Sequence, residues 1–191
     1  MIVPEVVAVA IVCALMVITT NPRQSRPDRS RVHTTTRTTR AAMALVQFLA
    51  LICVGLAIPA NAFGVGLIRA SVWLNITGVV LMTFGLLVRI YSMRILGSHY
   101  SSILFVNEGQ PLITRGIYGV IRHPIYLGDL ILFVAAGGAV GNYIVLSVVS
   151  VTAVSAYIVR IHHEERMMID SYGDAYVAYR KGTRRLIPFV Y

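Results

Sequence analysis

The chain has 191 residues, 57% of them hydrophobic and only 13% charged, and its mean hydropathy is +0.73. A soluble domain carries about 25% charged residues, and here nearly all the charge falls outside a few long apolar runs. The composition therefore indicates an all-α, polytopic integral membrane protein. It excludes a soluble dinucleotide-binding enzyme, a secreted disulfide scaffold and a disordered regulator.

A helix needs about 20 mostly apolar residues to cross the hydrocarbon core. Five stretches meet or approach that length: 2–20, 41–60, 70–90, 127–140 and 143–159. The first resembles a signal peptide, but Glu5 stands where a basic region belongs and no small-residue cleavage site precedes Asn21-Pro22. It is read as a retained span. Cys13 and Cys53 lie inside apolar runs, which implies buried, reduced thiols with neither a disulfide framework nor a metal knuckle. The fourth and fifth runs are joined only by Gly141-Asn142, which demands an antiparallel helical hairpin. Gly137 and Gly141 have the small-xxx-small spacing that lets helix backbones approach closely in lipid.

The formal net charge of +9 is not read as nucleic-acid binding, because excess arginine in a membrane protein is first a topology signal. Arg23, Arg26, Arg29, Arg31, Arg37 and Arg40 crowd the first connection, and Arg94, Arg115 and Arg122 lie in the third. The tail adds another cluster, from Arg160 to Arg185. The second connection has one Arg and the fourth has none. Basic loops stay cytoplasmic, so five spans place the amino terminus outside and the carboxyl terminus in the cytoplasm. The chain reads as one membrane domain over 1–191, with any chemistry in 91–126 and 160–191.

Three constellations stand in those segments. In the first, 116–128, Pro124 forces His123 out of helical geometry and is suited to the first turn of the fourth span. His123 would then face a helix N-terminus, where free N–H groups favour anions. The structural alternative makes Tyr118 and Tyr126 interfacial aromatics and Arg122 a positive-inside residue. The second is Arg160-Ile161-His162-His163-Glu164-Glu165-Arg166. Arg160 and Glu164 share a helix face. His163-Glu164 begins like a zinc-protease helix, but Met167 occupies the second histidine position, so no metal site is expected. The Glu164-Glu165 pair is either a solvated face or, tucked under the hairpin, a grip for ligand hydroxyls or an amine. In the third, Gly173 breaks the helix and Asp174 starts another. Tyr172, Tyr176 and Tyr179 then form a stripe expected to pack. Asp129 and Arg89 are the intramembrane charges, both near the cytoplasmic boundary, whereas transporters place such groups deeper.

Taken in order, Gly-Ile-Tyr-x-x-x-Arg-His-Pro-x-Tyr-x-Gly, a short hairpin, Glu-Glu, Tyr-Gly-x-x-Tyr-x-x-Tyr and the closing 182–189 resemble the isoprenylcysteine carboxyl methyltransferase family. The resemblance covers about 97–189, and the five-span layout looks like that of the family's small prokaryotic members. Arg outnumbers Lys sixteen to one, which points the same way, to a GC-rich bacterial genome.

The resemblance implies five transmembrane helices whose cytoplasmic loop and carboxyl-terminal helix form a pocket for S-adenosylmethionine. By family pattern Gln110, Pro111, Leu112 and Ile113 line the cofactor and Tyr118 covers it. His123, Pro124, Ile125 and Tyr126 cradle it, and Glu164 holds it from the tail helix. Gln110-Pro111 departs from the polar residues expected at its position. Arg160 matches the position assigned to the methyl acceptor. The implied partners are the bilayer and a lipid-like small-molecule acceptor, with a carboxylate preferred over a lipid amine or thiol. A non-catalytic membrane scaffold is the reading from outside the enzyme class.

Overall fold

In the computed structural model the described residues are 10, 32–34, 48–49, 52–53, 55–57, 59–66, 68, 72–100, 105–107 and 109–187. The first expected span lies outside them except for Ala10, which is helical. The described residues from Phe48 to Ala62 are helical too, in keeping with the second span. Four helices follow: α1 (Val72–Leu96), α2 (Pro124–Ala139), α3 (Tyr143–Tyr172) and α4 (Asp174–Gly182).

Among the described residues, Ile76–His99 and Tyr143–Tyr172 are long and apolar enough to cross a membrane. At 1.5 Å per residue the 30 residues of α3 reach about 45 Å, well beyond a hydrocarbon core of about 30 Å. Its apolar part ends at Val159, and the turns from Arg160 onward carry its charged residues. The 16-residue α2 is shorter than the core is thick. Its neighbours complete its burial, and its inner face is almost wholly covered.

Small residues set the helix spacing. A Cβ on Gly85 of α1 would lie 2.8 Å from the Gly128 carbonyl of α2, and one on Gly128 would lie 2.7 Å from the Gly85 carbonyl. The two backbones therefore touch, and Gly78 meets Ala139 in the same antiparallel crossing. The α2–α3 hairpin forms as expected, and a Cβ on Gly137 would come 2.9 Å from the Leu146 Cα. Leu132, Phe133, Val149, Ala153 and Tyr157 fill the core between the helices, with Met82 from α1.

The loops pair in a pattern that fits the alternation of spans. Asn142 caps α3 by accepting from Ile144 N and Val145 N at 3.0 and 3.2 Å. Its amide donates to Asn61 Oδ1 at 2.7 Å and to the Val65 carbonyl at 2.9 Å, and Asn61 donates to the Val140 carbonyl. The second and fourth connections therefore meet at one end of the molecule. The first and third meet as well: strand β1 (Val32–Thr34) pairs antiparallel with β2 (Phe105–Asn107), His33 opposite Val106. This short ladder departs from a purely helical fold. β-Branched Val32, Thr34 and Val106 suit it, and neither segment is apolar enough for lipid.

Candidate active site

Between α1 and α2 the chain enters a 3-10 turn at Gly116–Gly119 and reaches His123, the residue that caps α2. His123 has φ −123 and ψ 55, outside helical values, as the following proline requires. Pro124 occupies the first turn, where a missing N–H costs nothing. Gly173, at φ 54, then ends α3 and turns α4 back toward this segment. The return is fixed by backbone bonds: Arg122 N donates to the Arg184 carbonyl at 2.8 Å, His123 N to Arg185 at 3.0 Å, and Arg184 N to Val120 at 3.0 Å. The tyrosine stripe packs as expected. Tyr176 is buried, and the Tyr179 hydroxyl donates to the Tyr118 carbonyl at 2.6 Å.

The Glu164-Glu165 pair is tucked inward, not solvated. Glu165 is 4% exposed and receives Arg122 Nε at 2.8 Å and Arg185 Nε at 3.1 Å, with Arg180 Nη2 at 3.9 Å. Burial alone would raise its carboxyl pKa, but His123 and Arg122 outweigh that and bring it down to about 2. Arg122 also donates to the Arg180 and Thr183 carbonyls, so it locks the tail. His123 lies between the two carboxylates, with Nδ1 3.5 Å from Glu164 Oε2 and Nε2 3.6 Å from Glu165 Oε1. Those separations allow charge attraction but are too long for hydrogen bonds. Burial pushes the imidazole toward its neutral form, yet the flanking carboxylates prevail and its pKa rises above the ordinary value. Both His123 Nε2 and Glu164 Oε2 are buried without a hydrogen-bond partner in the protein. A buried polar atom left unpaired is costly, so the pair suits a ligand that brings its own donors and acceptors.

Arg160 lies one turn before Glu164. Its Nε donates to the Tyr126 hydroxyl at 2.8 Å, and its guanidinium carbon is 5.4 Å from the Tyr126 ring centroid. Tyr126 in turn stacks on His123, with centroids 5.5 Å apart and planes within 7°. Tyr118 and Tyr126 are both buried, so neither is an interfacial belt residue. Beneath Tyr126 a polar chain descends into the bundle. Tyr157 packs on its ring and donates to Asp129 Oδ2 at 2.9 Å, and Arg89 pairs with Asp129 Oδ1.

Tyr118, His123, Pro124, Tyr126, Arg160 and Glu164 thus converge, and Ile125 packs against the core beside them. Gln110, Leu112 and Ile113 are half-buried in the extended loop before the 3-10 turn, and Pro111 is exposed. Among the described residues no group of three or more His, Cys, Asp or Glu side chains could hold a metal.

Comparison with known proteins shows what this assembly is similar to. Residues 78–170, just under half of the chain, match the model of the isoprenylcysteine carboxyl methyltransferase (ICMT) family. The chain is 26% identical over 125 residues to a protein-S-isoprenylcysteine O-methyltransferase of Xenopus laevis, covering 64% of this chain and 43% of that protein. It is 32% identical over 84 residues to the Schizosaccharomyces pombe enzyme of the same name, covering 44% of this chain and 36% of that protein. The match therefore spans less than half the length of either relative. The structure of a eukaryotic intramembrane Ras methyltransferase superposes with a TM-score of 0.71 at 18% identity, over all of this chain and 70% of that one. The isoprenylcysteine carboxyl methyltransferase fold is therefore shared, as an all-α, polytopic membrane architecture.

These relatives overturn one expectation from the sequence. The chain is not placed with small prokaryotic members: the matched relatives, from vertebrates and fission yeast to Arabidopsis thaliana and Dictyostelium discoideum, are eukaryotic. The expectation rested on span count and arginine content. Bilayer thickness fixes the length of a span in any lineage, and either Arg or Lys can supply the basic loops, so neither feature identifies a lineage.

Sequence reasoning gave Glu165 no role apart from Glu164 and read Arg122 as a topology mark, and so missed the hub they form. An Arg and an Glu 43 positions apart carry no local signal of pairing.

Proposed function

We propose that this protein is an S-adenosylmethionine-dependent membrane methyltransferase, one domain over 1–191, acting on the carboxylate of an isoprenylcysteine-type, lipid-like acceptor. The observation that carries the proposal is the convergence of Arg160 and Glu164, one turn apart on α3, on the His123–Tyr126 stack. There His123 Nε2 and Glu164 Oε2 lack hydrogen-bond partners in the protein.

S-adenosylmethionine combines an ammonium, ribose hydroxyls, an adenine and a sulfonium, so a buried carboxylate beside a buried imidazole suits its mixture of donors and acceptors. Glu164 and His123 would hold its polar groups, Tyr118, Pro124, Ile125 and Tyr126 would enclose it, and Gln110, Leu112 and Ile113 would border it. When bound, it supplies a methyl group already activated by the sulfonium. The chain's own task is then alignment and exclusion of water, with no strong acid or base required. Arg160 can present two parallel N–H groups to an acceptor carboxylate. That interaction offsets the cost of stripping water from the anion, and the Tyr126 hydroxyl and ring fix the guanidinium plane. An ammonium acceptor would be repelled by the same cation, which favours the carboxylate over an amine. The site lies on the cytoplasmic face, with the amino terminus outside, and the acceptor enters from the bilayer.

The test is steady-state kinetics with a prenylcysteine carboxylate, with cofactor affinity measured in parallel. Arg160→Lys keeps cofactor affinity but lowers kcat/KM, because an ammonium cannot reproduce the planar fork. Arg160→Ala lowers it further. Unchanged turnover in Arg160→Ala would remove the carboxylate assignment, and failure of the wild-type protein to bind the cofactor would remove the enzyme.

A further inference from the structure

A second feature of the tail stands apart from the cofactor cradle. The end of α4 and the segment after it form an open groove of about 440 Å³ with the loop before α2. Arg122, Arg180, Lys181, Arg184 and Arg185 line it, with Val177 on its rim, and none of its lining residues is acidic. Among the described residues Glu165 is shared by Arg122, Arg185 and Arg180. Lys181 and Arg184 are exposed and add two more positive charges at the groove mouth. Five cations in one groove repel one another, and an anion that settles among them relieves that repulsion.

We infer that this groove binds a phosphate-bearing anion, supplied either by the headgroup of an anionic phospholipid or by free phosphate. Guanidinium groups match phosphate oxygens in pairs, and at the groove mouth the exposed Arg184 guanidinium stands with the Lys181 ammonium. Its position favours the lipid. Arg122 stands two residues before Pro124, where α2 enters the membrane, so the groove lies at the level of the headgroups. Val177, 39% exposed on the rim, gives an apolar edge beside the cationic floor. Positive-inside topology accounts for basic residues on this face, but it does not require them to share one groove. The inference does not depend on the methyltransferase reading, because no cofactor or acceptor enters the argument.

The experiment titrates purified full-length protein in nonionic detergent, at low salt, with three probes: dihexanoylphosphatidylglycerol, dihexanoylphosphatidylcholine and inorganic phosphate. Calorimetry is run on wild type, on the double variant Lys181→Gln with Arg184→Gln, and on the charge-preserving Lys181→Arg with Arg184→Lys. Thermal unfolding shows that each variant is folded. The anionic lipid binds wild type more tightly than the zwitterionic one, and the glutamine pair weakens it roughly 25-fold, about fivefold per cation removed. The charge-preserving pair binds like wild type. Binding of the anionic lipid alone identifies the headgroup as the ligand, whereas equal, similarly weakened binding of inorganic phosphate identifies free phosphate. Equal affinity for the two lipids without phosphate binding would overturn the inference, as would a glutamine variant indistinguishable from wild type.

Discussion

The two ends of the α2–α3 hairpin solve the same problem in opposite ways. At the Gly141-Asn142 end the Asn142 and Asn61 side chains cap α3 and the turn with mutual hydrogen bonds, and neither side chain has a buried atom left without a partner. At the other end His123 stands at the head of α2 without a side-chain capping bond, and its Nε2 and the nearby Glu164 Oε2 each lack a hydrogen-bond partner in the protein. Evenly satisfied polar groups mark a joint that only has to hold. Incomplete satisfaction in a buried, charged setting marks a place prepared for something else. Between the ends, Arg89, Asp129 and Tyr157 connect the packed bundle to the site.

That contrast can be broken first at the connection. Replacing Asp129 by Ala leaves Arg89 as an uncompensated buried charge, which should cost about 3–5 kcal/mol of stability in reversible mixed-micelle unfolding. Pairing Asp129→Leu with Arg89→Met should recover most of the loss, because neither charge then remains. A single variant as stable as the double would show that water reaches the pair.

Glu165 gives a smaller effect with a pH signature. Glu165→Gln should cost roughly 1.5–3 kcal/mol at neutral pH, the range for hydrogen bonds to a charged group. Since its folded pKa is depressed to about 2 from an ordinary 4.5, its contribution is complete above about 4.5 and is lost as pH falls through about 2. Acid titration of thermal stability should therefore be steeper for wild type than for the variant within that window.

Asn142→Ala sharpens the other half of the comparison. Losing the cap should cost roughly 1–2 kcal/mol, read as a lower Tm, with cofactor affinity unchanged. A change in affinity would mean that the two ends are coupled through the hairpin.

Much of the hairpin was legible in the sequence, because its signals are local. Pro124, the Gly141-Asn142 link and Gly173 each act within a turn or two of where they stand, and each feature appears where those residues dictate. Gly137 also revealed the close approach of α2 and α3. The Gly85–Gly128 contact and the Arg89–Asp129 pair join helices about 40 residues apart, and no periodicity within one helix encodes its partner's register. The site divides along the same line. His123, Tyr126, Arg160 and Glu164 could be picked out from motifs, and the structure brings them together. The role of Glu165 depends on where α4 returns, which is decided by backbone bonds between Val120–His123 and Arg184–Arg185. Adjacent carboxylates look equivalent in a sequence, whereas here one is tied to arginines and the other is left open.

The central claim is that the His123–Glu164 end is a ligand site and the Asn142 end is not. It is tested most directly by calorimetric titration of S-adenosylmethionine into wild type, Glu164→Gln and Asn142→Ala. The account predicts measurable binding to wild type, the same affinity in Asn142→Ala, and a loss of roughly 10- to 150-fold in Glu164→Gln, equivalent to about 1.5–3 kcal/mol. Wild-type affinity retained by a folded Glu164→Gln protein would contradict it.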